Sequence, residues 1–318
     1  FRRVLFRSVI TLLVFVFLLS AFWGAMYYRS AYAGGEGAPY DYSMHYPSRE
    51  EQITRDDIFE LAQKYQVDIE DYEEAEAVVL LVDYKKRDLT DGGKYVDLNS
   101  RKLVSFVSAS DFSRIAGRKT EVRTGEYKTI VPSGYHPSIW VKPDCLLAVE
   151  NRELSYKGTE EFDNLTETSD PFTFILSDED YQSFAGAAAG PDRENLVFFR
   201  VKNVYDTYDF ARELKREYIA HAGELSDHFA LYDAYEEERA LEQGTEYFYS
   251  GEAGLSEDNP DLMEDWKYAP FFKVLVKADA MQMVAVFVLL SVYIAVISLA
   301  AVGVMTYVRS VTIAMDNR

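Results

Sequence analysis

The sequence predicts a membrane protein: two transmembrane α-helices flank a large α+β extracytoplasmic domain that contains a repeated strand-helix unit. Three observations predict it. First, residues 9–28 and 280–308 carry no charged side chain, and each is long enough for the ~20 apolar residues that cross a hydrocarbon core. Second, nearly all the charge of this 318-residue chain, formal net −20, lies between those stretches. Third, strand signals outnumber helix signals in that middle part, which favours α+β over a doubly wound sheet.

Residues 1–8 (FRRVLFRS) resemble the translation of a sequencing-adapter oligonucleotide and are set aside from fold reasoning as a scar. The first expected span, 9–28, ends in Trp23, Tyr27 and Tyr28, where interfacial aromatics are favoured. Ala31, Tyr32 and Ala33 offer a competing reading as a signal-peptidase site, but the apolar run exceeds a usual signal core. The expected extracytoplasmic domain covers 29–279, with sub-lobes at about 39–160 and 161–250 and a linker at 251–270, rich in glycine and acid. The second span is expected over 280–308. Residues 309–318 would begin a cytoplasmic segment.

Within the domain, Tyr40, Tyr42, Met44 and Tyr46 alternate as in a strand. Thr54 precedes Asp56 and Asp57 and caps a helix whose apolar stripe is Ile58, Leu61, Ala62 and Tyr65. Residues 77–82 form a buried strand, and Asp91-Gly92-Gly93 a turn. Further strands are expected at 127–131, 139–141, 146–149 and 196–201. A helix opens at Asp206 with Phe210, Leu214 and Tyr218 on one face. Another strand is expected around Phe229, Leu231 and Tyr235, and a solvated helical face at 236–242.

The repeat is the sharpest internal signal. An apolar strand at 103–107 leads into SASDFSRIAG at 108–117, and one at 172–176 leads into SDEDYQSFAG at 177–186. Ser108 aligns with Ser177, Asp111 with Asp180 and Gly117 with Gly186, without gaps. In each copy the serine is expected to accept a hydrogen bond from an orphan helix N–H, with the acid supporting the first turn. The glycine is expected to give a left-handed exit. These six residues are structural caps.

The catalytic inventory is short. There is no phosphate loop, dinucleotide fingerprint or zinc spacing. No catalytic, cofactor-binding or metal residue is expected, and no cofactor. His221, Glu224, Asp227 and His228 are the nearest approach to a metal cluster and read as an exposed helix end. Cys145 follows Asp144, which would raise its pKa, so a nucleophile there is not expected. Asn164-Leu165-Thr166 is a formal glycosylation acceptor. The negative charge disfavours nucleic acid and anionic lipid as partners, and no nucleic acid is expected.

After the second apolar stretch comes the run 307–318 (YVRSVTIAMDNR), in which Arg309 and Ile313 fit an Arg-x-x-x-Ile pattern ahead of Asn317 and Arg318. With the layout of the chain and the Ser-x-Ser-Asp-aromatic segment at 108–112, this run resembles an FtsX/MacB-type ABC transporter permease, truncated at both ends. The resemblance implies a non-catalytic membrane subunit in a bacterial plasma membrane, multi-pass, with its large domain outside. It implies mechanotransmission: a cytoplasmic ABC-type ATPase on a separate chain drives shape change in the outer domain. It also implies further spans missing from the fragment, contact with membrane lipid, and an extracellular peptide, lipoprotein or protein partner. An extracytoplasmic sensor domain of a receptor such as a histidine kinase shares the layout and is the alternative.

Overall fold

The computed structural model describes residues 22–24, 37–88, 94–133, 145–149, 152–165, 173–186, 193–227, 240–245, 253–257, 259, 266 and 268–316. The chain divides into two units, 37–274 and the pair of segments 1–36 and 275–318.

The described residues of unit 37–274 form nine strands: β1 (Tyr42–Tyr46), β2 (Ile69–Asp88), β3 (Lys94–Ser108), β4 (Glu126–Val131), β5 (Cys145–Val149), β6 (Arg152–Glu161), β7 (Phe174–Leu176), β8 (Arg193–Val201) and β9 (Phe271–Phe272). Its helices are α1 (Arg55–Lys64), α2 (Ala109–Ile115), α3 (Asp178–Ala185) and α4 (Tyr208–His221). The strand order is β3-β7-β4-β6-β5-β2-β8-β1-β9, and β3 also pairs with β2. The six strands β2, β3, β7, β4, β6 and β5 therefore close a circuit, which removes their free edges. Strands β8, β1 and β9 extend from the N-terminal half of β2.

The 20-residue β2 makes this possible by changing partners along its length. Residues 69–78 pair with β8, residues 82–86 with β5, and residues 77–88 with β3 on the opposite edge. From 69 to 76 that opposite edge has no β3 beside it. Val78, Phe106, Tyr127, Val149, Leu154 and Phe174, one from each strand of the circuit, join a single buried cluster. Tyr181 and Phe184 of α3 pack on it. Residues of the other parity, including Ala75, Val107, Ile130 and Phe198, form a second cluster with Phe112 and Ile115 of α2. Both faces of the sheet are thus apolar, which is why 103–107 and 172–176 read as continuous apolar runs and not alternations.

A third packing region is aromatic. Tyr42 stacks on Phe199 at 4.6 Å between ring centres and meets Phe210 of α4 edge-on at 5.5 Å. Burial of each such ring contributes about 1.5–3 kcal/mol. The helix face expected from Phe210, Leu214 and Tyr218 is the buried face of α4. Helix α1 follows Thr54, whose Oγ1 accepts from Asp57 N at 3.3 Å, and buries Ile58 and Ala62.

The two expected sub-lobes are one structure. Strand β7, from the second repeat copy, lies between β3 and β4 of the first half, pairing parallel with β3 and antiparallel with β4. The repeat places its copies side by side in one sheet. The turn at 91–93, the strands at 139–141 and 229–235, most of the 236–242 run and half of the linker lie outside the described residues.

The second unit contains most of α5 (Lys273–Asp316), a helix of 44 residues. Among the described residues no helix is long and apolar enough to cross a membrane. Among the described residues this overturns the expected transmembrane helices and, with them, the membrane-protein fold class. The first expected span lies outside the described residues except for Phe22, Trp23 and Gly24, which are helical. The second falls within α5. The span–domain–span layout was the main support for the membrane and ABC-transporter description, which loses that basis. The unit 37–274 is a mixed α and β domain.

Candidate functional site

Both serines of the repeat sit where a strand becomes a helix. Ser108 Oγ accepts from Asp111 N at 3.0 Å, and Ser177 Oγ accepts from Asp180 N at 3.1 Å. Each serine hydroxyl also donates to the acid three residues on, at 2.9 Å in both copies. The copies then diverge. Asp111 is partly exposed and pairs with Arg114, whereas Asp180 is buried and also accepts from Gly125 N at 2.8 Å. Asp178 of α3 accepts from Ser110 N of α2 at 2.9 Å, so the two helix starts are tied together. Gly117 has the left-handed exit expected of it, with φ +62. Gly186 does not: it is right-handed at φ −67, and its N–H donates to Gln182 O. Arg309 and Ile313 lie on α5 and are exposed, while Asn317 and Arg318 lie outside the described residues. The repeat residues therefore hold the scaffold, and of the six only Asp111 also lines one of the clefts described next.

The pocket lies beside them, at the stretch of β2 that β3 leaves uncovered. A cleft of about 580 Å³ has Glu74 to Glu76 of β2 and Asn195 and Leu196 of β8 along its sheet side. Arg49, Gln52, Thr54 and Arg55 contribute from the segment entering α1, and Asp111, Tyr181 and Gln182 from α2 and α3. A second cleft of about 550 Å³ shares Arg49, Glu76 and Asn195 and adds Arg193. Both volumes fall within the roughly 300–1,000 Å³ typical of small-ligand sites.

The bare edge of β2 is sealed by side chains. Arg114 Nη2 donates to Glu74 O at 2.5 Å, and the Tyr181 hydroxyl donates to Glu76 O at 3.0 Å. Those carbonyls are satisfied, so the edge is closed to strand addition at these two positions. Burial, with the Glu76 and Asp111 carboxylates nearby, pushes the Tyr181 hydroxyl up to about 12. It stays protonated at neutral pH and is a donor, not a base.

Charge in the clefts is unevenly shared. Arg49 pairs with Glu76, and Arg193 Nη1 lies 3.7 Å from the same carboxylate. Two guanidinium groups thus face one acid. Arg55 rests over the rings of Tyr72 (4.9 Å) and Phe59 (5.2 Å), and among the described residues no carboxylate pairs with it. Glu74 is occupied by the Tyr72 hydroxyl at 2.8 Å. Asn195 lies at both clefts, is only 7% exposed, and makes no side-chain hydrogen bond among the described residues.

Two buried acids lie elsewhere. Glu194, 1% exposed, accepts from Ser105 Oγ at 2.6 Å and from the Tyr268 hydroxyl at 3.3 Å, and His45 Nε2 lies 2.8 Å from it. The residue types suggest a catalytic triad, but the order is wrong. A nucleophilic relay needs histidine between serine and acid, and here the acid stands between them. Glu51 accepts from Gly223 N and Leu225 N and from the Ser226 hydroxyl, fixing the loop after α4. Neither acid was legible as a partner in the sequence; the only signal for Glu194 was a charge at the head of a buried strand.

Among the described residues no group of three or more His, Cys, Asp or Glu side chains is placed to hold a metal ion. His221 Nδ1 is 2.8 Å from Glu217 O of its own helix, and His228 lies outside the described residues. The Asn164 amide is already in use: its Oδ1 accepts from Tyr40 N at 3.0 Å and its Nδ2 donates to Tyr40 O at 3.1 Å.

No protein-family model and no curated protein matches the chain. Among solved structures, a 1.5 Å crystal structure described as "Putative Lipoprotein from Bacillus anthracis" is similar, at 10% identity and a TM-score of 0.32. The match covers 55% of this chain and 90% of the other.

Proposed function

We propose that residues 37–274 form a non-catalytic recognition domain whose ligand occupies the clefts around Arg49, Glu76 and Asn195. One observation carries this reading. A polar side chain that is nine-tenths buried, Asn195, lies between two clefts of ligand size and has no partner in the described protein. Among the described residues its amide is not one of the fully buried polar atoms that lack a partner, so it opens onto the clefts and can bond a ligand that enters them. The catalytic alternatives have less support. Tyr181 is held protonated, Thr54 is used as a helix cap, and the Ser105–Glu194–His45 group has the wrong order for nucleophilic attack. A domain that binds without turnover is what a sensor requires, and the cleft favours that reading of the sequence. An extracytoplasmic setting is part of the proposal; its support is the sequence, an acidic domain next to the apolar stretch 280–308.

The test uses the full chain with Gln182→Cys, at the exposed rim of the cleft, carrying an environment-sensitive fluorophore in a Cys145→Ser background. Short charged and neutral peptides are titrated, with chromogenic ester and phosphoester substrates assayed in parallel. A saturable fluorescence change that Arg49→Ala removes, without turnover, is expected. Turnover abolished by a cleft substitution would refute the non-catalytic reading.

A further inference from the structure

We infer that the loop 223–225 is a strap at the mouth of the second cleft, and that the Glu51 carboxylate is the positioning group that holds it there. The inference rests on the recognition reading above and names the part of that site that can move.

The strap is fixed at both ends. On one side it leaves α4, where Ala222 N donates to Ile219 O at 3.3 Å. On the other, Trp266 Nε1 donates to Ser226 O at 2.7 Å, Ala253 N to Asp227 O at 3.3 Å and Gly254 N to Asp227 Oδ1 at 2.9 Å. Trp266 is itself buried, with its ring 5.6 Å from that of Tyr218 on α4.

The middle of the strap is held differently. Glu51 accepts from Gly223 N at 2.8 Å, from Leu225 N at 3.2 Å and from the Ser226 hydroxyl. Among the described residues no other side chain is hydrogen-bonded to 223–225. Hydrogen bonds to a carboxylate are charge-assisted and strong, and here they are concentrated in one group. Gly223 makes the approach possible, since a Cβ there would lie 2.7 Å from Glu51 Oε1.

The place of the strap gives it a part in the site. Leu225 is the one apolar side chain among the described residues that line the second cleft. It is 44% exposed, so its own burial does little to fix it. Its backbone bond to Glu51 does. Ser48, Arg49 and Glu50 line the same cleft and run directly into Glu51. Two parts of the cleft lining therefore meet at one carboxylate. A ligand that displaces 48–50 also displaces the group that holds Leu225.

The experiment is hydrogen exchange of the full chain without ligand, read by mass spectrometry on peptides covering 219–227 and, for reference, β8. In Glu51→Ala the 219–227 peptide is expected to exchange at least about tenfold faster with β8 unchanged. Formate, which returns a carboxylate to the vacated space, should restore protection, and chloride at equal concentration should not. Gly223→Ala leaves Glu51 in the chain but pushes its carboxylate aside, and should open the same peptide. Unchanged exchange in both variants, or equal acceleration of β8 in both, overturns the strap. Restoration by chloride as well as formate overturns the role of the carboxylate. With no ligand present, a failed strap leaves the recognition reading to its own titration.

Discussion

Tyr181 shows how one residue acquires a role from its surroundings. In the sequence it is the aromatic of a repeat, matched to Phe112, and its packing on the sheet is what the pattern implies. The structure adds a hydroxyl bond to Glu76 O and two nearby carboxylates. Its pKa is raised from 10 to about 12, so the folded protein holds the proton more tightly than the unfolded chain does. Stability from this group is complete below about pH 10 and is lost as pH rises through about 12. Chemical-denaturation midpoints measured at pH 8 and pH 11 should therefore fall, and Tyr181→Phe should reduce the fall. An equal fall in both proteins would assign the alkaline sensitivity to other buried tyrosines, such as Tyr42 and Tyr218, whose hydroxyls burial also pushes up.

At the scale of elements, the paired helix starts make a comparison possible inside one molecule. Ser108→Ala and Ser177→Ala remove the same cap and should each cost about 1 kcal/mol. The acids should separate. Asp111→Ala removes a partly exposed group, whereas Asp180→Ala removes a buried acceptor of Ser177 and Gly125. Loss of a buried acceptor costs about 1–3 kcal/mol. Urea unfolding should thus rank Asp180→Ala clearly below Asp111→Ala, and equal effects would mean that the two copies are energetically equivalent. The caps were legible because serine followed three residues on by an acid is a local signature needing only one turn of chain. The exit at Gly186 was not, because glycine permits the left-handed conformation without requiring it, and α3 ends right-handed.

Across the whole molecule, the buried Glu194 ties together parts of the chain that are remote in sequence. It takes bonds from Ser105 on β3 and Tyr268 before β9, with His45 of β1 beside it. Glu194→Ala takes a shared acceptor from this group in an enclosed setting, and a loss of about 3 kcal/mol or more is expected. Ser105→Ala, which removes one donor only, should cost about 1 kcal/mol. Thermal or urea unfolding checks both, and a Glu194→Ala protein of unchanged stability would show that the cluster is not a structural tie.

By itself the sequence determined the local features: the helix caps at Thr54, Ser108 and Ser177, the buried face of α4, the apolar strands, and the acidic balance. Each depends on residues within a turn or two of one another. Only the tertiary structure decided that the two repeat strands lie side by side, that β2 exchanges β8 for β5 and closes a circuit, and that Asn195 faces two clefts beside Arg49 and Arg193. Those facts depend on which distant strands pair, and strand pairing is set by the packing of whole faces.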